Sequence, residues 1–148
     1  MTQLLKCLSI ILPFTLSAQI KIDDIGDGWK SNIQRALNVI ETADSVKYQQ
    51  ILSVCDHIGF WNGNYSTTED ATILISNKEA RAGVTNDLAA ALVHESMHLY
   101  IKQHPVSLSA IEEETMCYLY ELDFLLKLSF VQPWLIQHVL QQLDALNR

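Results

Sequence analysis

Ile33, Leu37, Ile40 and Ala43 recur at helical spacing, and Ser31 with Gln34 three residues on forms a capping-box pattern. A first amphipathic helix is expected over roughly residues 31–50. From Val54 the alternation shortens: Val54, Asp56, Ile58 and Phe60 interleave with Cys55, His57, Gly59 and Trp61, as in a strand. Asn62-Gly63 favours a tight hairpin turn, Tyr65 to Thr68 can return as a second strand, and Glu69-Asp70 can turn again. Residues 71–76, Ala-Thr-Ile-Leu-Ile-Ser, read as a short buried strand. The pattern predicts a small antiparallel sheet of about three strands.

Helical periodicity then returns. Thr85 or Asn86 can cap a helix that starts with Asp87 near its positive end and runs from Leu88 to Gln103. Apart from a few polar residues that helix is apolar on most sides, which predicts burial. His104-Pro105 ends it, because a residue before proline is driven out of the helical region. Ser109 and Glu112 form another capping box, opening a helix to about Leu128. Pro133 suits the first turn of a last helix, with Ile136, Val139, Leu140 and Leu143 on one stripe.

A chain of 148 residues, 49% hydrophobic, is large enough for one domain with its own core. Its net charge of -7 argues against nucleic acid or an anionic membrane surface as a partner. Residues 1–18 read as a secretory signal: Lys6, an apolar stretch from Cys7 to Leu16, then the small residues Ser17-Ala18. The expected product is an exported domain over 19–148, periplasmic or secreted, with no membrane attachment once the signal is cleaved. Cys55 and Cys117 remain after cleavage. They can pair in an oxidising compartment or stand as two buried free thiols, and spacing alone leaves both open.

The chemistry concentrates in His94-Glu95-Ser96-Met97-His98. Residues four apart share one helical face, so both imidazoles can address one metal ion, with Glu95 close enough to act on a water beside it. An unpaired carboxylate between two histidines on an Ala- and Leu-rich helix costs several kcal/mol on burial, roughly the penalty of a buried uncompensated charge. A metal relieves that cost. A hydrolytic zinc site needs a third protein ligand. His104 stands at the offset used by metzincins, HExxHxxGxxH, but Ile101 occupies the helix-breaking glycine position. Glu112, Glu113 and Glu114 open the next helix and are the acidic candidates. Of these, Glu114 shares a stripe with Tyr118, Glu121 and Leu125, whereas the stripe of Glu113 runs through Cys117, Tyr120 and Phe124.

The HExxH motif followed by a glutamate-led helix resembles gluzincins, the branch of zincin metallopeptidases whose third ligand is a downstream glutamate. The resemblance spans about Thr72 to Leu128. Glu114, Cys117 and Tyr118 fall in the frame of the E-x-x-A-D type of motif, with cysteine for alanine and tyrosine for the acid. It implies an α+β fold: a small zincin-like domain with a short antiparallel sheet, an HExxH active-site helix and following helices. It also implies peptide-bond hydrolysis of a peptide or protein substrate, with Zn2+ held by His94, His98 and Glu114 and Glu95 as general base. Residues 71–76 are the expected sheet edge for an extended substrate. Two other readings stay open, a non-catalytic zinc-stabilised binding module and a metal-dependent amidase acting on cell-wall peptides. His57 and His138 carry no ligand spacing, and Tyr100, Tyr118 and Tyr120 read as packing residues. The oligomeric state is not set by the sequence.

Overall fold

The computed structural model describes residues 19–81 and 84–148. The expected signal over 1–18 lies outside them. The fold is α+β, with six helices and a four-stranded mixed sheet among the described residues. No helix among them is long and apolar enough to cross a membrane.

A two-residue strand, β1 (Lys21–Ile22), precedes α1 (Trp29–Ala43) and α2 (Ser45–Val54). The single helix expected over 31–50 is therefore two. Asp44 divides them: its backbone is extended, and its side chain accepts from the Lys47 N–H at 3.2 Å, capping α2. The buried side of α1 carries Trp29, Ile33, Leu37 and Ile40.

The sheet differs from the expected antiparallel arrangement. Strands β2 (His57–Trp61), β3 (Thr67–Glu69) and β4 (Thr72–Ser76) lie in the order β1-β2-β4-β3. β1 and β4 both run parallel to β2, and only β3 with β4 is antiparallel. Asn62-Gly63 makes no tight hairpin, since neither residue has the positive φ that such a turn demands. The chain instead passes β2 by, forms β3 on the outside and turns at Asp70 (φ 49°), so that β4 inserts between β2 and β3. The edges are thus β1 and β3, and β4 is interior, in place of the edge expected at residues 71–76. Val54 ends α2 instead of starting β2. Ile58, Ile73 and Ile75 are fully buried on the helix-facing side of the sheet.

A short helix, α3 (Asn77–Arg81), leads to α4 (Thr85–Gln103), the central element. α4 packs on α1, α2, β3, β4 and α5 (Ala110–Leu125), and α5 packs on α6 (Pro133–Leu146). Contact on so many sides explains its Ala- and Leu-rich sequence: Leu88, Ala89, Leu92, Val93 and Leu99 are all buried. Neither Thr85 nor Asn86 caps α4 with its side chain. Asn86 donates to the Phe130 carbonyl at 3.0 Å instead, tying α4 to the segment before α6. The capping box of Ser109 and Glu112 is formed, and α5 ends at Leu125, three residues short of the expected Leu128. On α6 the buried residues are Leu135 and Val139, while Leu140 is 49% exposed, so the core-facing stripe is rotated from the expected one.

Candidate metal centre

α4 and α5 between them carry every donor. One helical turn of α4 sets His94 and His98 on the same face, with ring centroids 5.2 Å apart. Across from them, the Glu114 carboxylate in the first turns of α5 reaches both: Oε2 is 3.6 Å from His94 Nε2, and Oε1 is 3.3 Å from His98 Nε2. The other ring nitrogens are held separately. His94 Nδ1 is 3.0 Å from Glu121 Oε2, and His98 Nδ1 is 2.7 Å from Glu113 Oε1. Each Nδ1 thus has a carboxylate partner that fixes its ring, and each Nε2 faces Glu114, an approach that a proton or a cation between them would make favourable. The edge of the Tyr118 ring packs on His94 at 4.5 Å between centroids and fixes the plane of the imidazole.

A second donor lies below. The ligand atoms of His94, His98 and Cys117 are all within 4.8 Å of one another, and this group could hold a metal ion. Cys117 is fully buried, while Glu114 is half-exposed on the rim of the cleft. Cys55 and Cys117 are both free thiols. The Cys55 sulfur donates to the His57 carbonyl at 3.1 Å.

The electrostatics of the site favour a cation. Burial works against a charged His94, yet the carboxylates of Glu114 and Glu121 outweigh it and push its pKa up to about 10. The facing His94 imidazole, with the charge of His98 beside it, holds the Glu114 carboxyl below its ordinary range. Glu95 is 8% exposed; burial, then the nearby charges of Glu79 and Glu114, push it up to about 7 against the pull of His94 and Lys102. Burial and four surrounding carboxylates raise the Cys117 thiol well above its usual value. A field that retains a proton on a buried imidazole is one that a metal cation, bound in place of that proton, would satisfy.

The site opens into a cleft of about 590 Å³. The buried His94 and Glu95 with His98 lie at its base, Glu114 lines its rim, and Tyr65 to Thr68, leading into and along β3, form one wall. Lys102, one turn beyond His98, reaches across to donate to Thr68 Oγ1 at 2.6 Å, joining α4 to the edge strand. Glu79 of α3 closes one end through a hydrogen bond from Ser66, and its carboxyl is raised by burial and by Asp87. His138 of α6 also lines the cleft.

The residues singled out in the sequence fall in different places. His94, Glu95, His98 and Glu114 come together. His104 does not: it lies beyond the end of α4, stacked on Tyr100 at 4.3 Å. Glu113 faces the back of His98, and Glu112 serves as the capping residue. His57 pairs with Asp23 at 2.8 Å, away from the cleft. Sequence reasoning missed the partner of His94, because the gluzincin frame puts that acid where Tyr118 stands. Glu121 was nonetheless visible as the next acid along the stripe of Glu114. No protein-family model matches the chain, and no curated protein matches it.

Proposed function

We propose that the protein is a zinc-dependent peptidase of gluzincin-like type, exported to the periplasm or secreted, in which His94, His98 and Glu114 hold the ion and Glu95 is the general base. The observation that carries this reading is the convergence of two imidazole Nε2 atoms on one carboxylate, 3.6 and 3.3 Å away, with each Nδ1 tethered to a carboxylate of its own. Two histidines and a glutamate are the donor set of hydrolytic zinc sites that keep a position open for water and substrate. Zinc bound there supplies Lewis acidity, making a water acidic enough to lose a proton near neutral pH and polarising a carbonyl.

The chain's own residues supply the rest. Glu95, on the cleft floor beside His94, takes the proton of the attacking water and returns it to the leaving amine. Its burial suits that task, because a carboxylate pushed up to about 7 is a stronger base than an exposed one. Glu121 and Glu113 fix the two imidazoles, and Tyr118 keeps the first from turning. The wall built from Tyr65 to Thr68 lets an extended peptide lie along the edge strand β3.

The test is zinc content together with turnover of a peptide library that includes cell-wall peptides. About one zinc per chain with hydrolysis is expected. Glu95→Gln should keep the zinc and lose at least about a hundredfold in rate, the lower end of what a general base contributes. Zinc without hydrolysis of any substrate would favour a metal-stabilised binding module. Undiminished turnover in Glu95→Gln would remove the base from its assigned role.

A further inference from the structure

We propose that Cys117 is an alternative ligand of the same centre, taking the metal when Glu114 releases it. This rests on the metal centre proposed at His94 and His98. Glu114 and Cys117 are three residues apart on α5, so both look toward the histidine pair, at different depths. Glu114 meets it from the cleft, whereas Cys117 meets it from the sealed interface of α4 and α5, absent from the cleft lining and fully buried. Its sulfur lies within 4.8 Å of a ring nitrogen of each histidine. Ligands of a tetrahedral zinc stand roughly 3.5 Å apart, given metal–ligand bonds of about 2.0–2.3 Å, so about 1 Å of tightening completes the set.

The exchange balances without an outside reactant. With a metal bound, Glu114 would give up its place to the Cys117 sulfur and would accept the proton that the thiol loses. Two chemical consequences follow. Held by Cys117, the metal would sit nearer the α4–α5 interface than when held by Glu114, and the chain would retain it with Glu114 disengaged. A soft thiolate in the set also favours zinc and cadmium over magnesium, calcium and manganese.

Cobalt(II) in place of zinc reads this directly, because a thiolate ligand adds a near-ultraviolet charge-transfer band that histidine and carboxylate do not. The full chain, Glu114→Ala and the double variant Glu114→Ala/Cys117→Ser are each loaded with cobalt and titrated with cadmium. Glu114 is 41% exposed in its side chain, so its removal leaves the core intact. The expected result is bound cobalt with the thiolate band in Glu114→Ala and loss of the band in the double variant. Cadmium affinity should fall by about tenfold or more between the two, as for loss of a soft ligand to a soft metal. Cobalt bound by the full chain but lost from Glu114→Ala, or bound there without the band, overturns the role of Cys117 and leaves the peptidase reading standing. Failure of the full chain to bind cobalt or zinc removes both.

Discussion

Glu121 Oε2 lies 3.0 Å from His94 Nδ1, two helical turns along α5 from the carboxylate that faces the other side of the same ring. One stripe of one helix thus grips an imidazole front and back. Removing a carboxylate that orients a metal-bound histidine costs about 10–100-fold in metal affinity. Glu121→Ala should show a loss of that size in a zinc titration against a chromophoric chelator. Unchanged affinity would mean that packing against Tyr118 alone orients the ring.

The base should report itself in the pH dependence of turnover. As the proposed base Glu95 would act unprotonated; burial pushes it up to about 7 in the metal-free chain, and a bound dication would draw it down. kcat/KM for a peptide substrate should therefore rise with pH along an acid limb whose midpoint lies at or below about 7. The limb should vanish with the residual activity of Glu95→Gln. A limb unchanged in that variant would assign the titration to another group.

Affinity at the proposed metal centre should also depend on how rigidly α5 is docked. Phe124 follows Glu121 by three residues and is fully buried in the core. Phe124→Ala should destabilise the fold by about 3–5 kcal/mol, the range for a large buried aromatic. It should also weaken zinc binding without touching a ligand. Denaturant unfolding of the metal-free protein separates the first effect from the second.

The joint between α1 and α2 predicts an acid-sensitive stability. Asp44 is 5% exposed in its side chain; it accepts from Lys127 at 2.8 Å and lies 3.5 Å from Lys47. Burial alone would raise its carboxyl, but the Lys127 hydrogen bond, the Lys47 backbone N–H and the two lysine charges outweigh it and hold the pKa below 3.8. A carboxyl lowered by folding contributes stability that is complete above its unfolded value and is lost as pH falls through its folded one. The contribution should therefore be full above about pH 4 and fade below it. Asp44→Ala should cost about 2 kcal/mol near neutrality, combining a lost cap with a weakened buried lysine. The gap to wild type should narrow in denaturant titrations run at lower pH.

Local chemistry made much of this legible in the sequence. The capping box of Ser109 and Glu112, the stop at His104-Pro105 and the start at Pro133 all act within a few residues, and all are formed. Asp44 could have been read the same way, as a capping residue inside a run otherwise periodic enough for one helix. Strand direction could not. Ile58 and Ile73 alternate with their neighbours equally well in a parallel or an antiparallel pair, and what decides is the path of residues 62–66 around the sheet. Glu121 was obscured for a different reason. Its stripe could be seen, but which side of a histidine it meets depends on how α5 docks on α4.

The edge strand on the cleft side carries one more consequence. β3 is three residues long, Thr-Thr-Glu, and Lys102 from α4 donates to the Thr68 side chain. Long, flat, apolar edges invite copies of the same chain to stack, while short polar ones guarded by lysine discourage it. An edge of this kind can hold a passing extended segment for a few hydrogen bonds, yet it offers little on which a second copy of the molecule could grow.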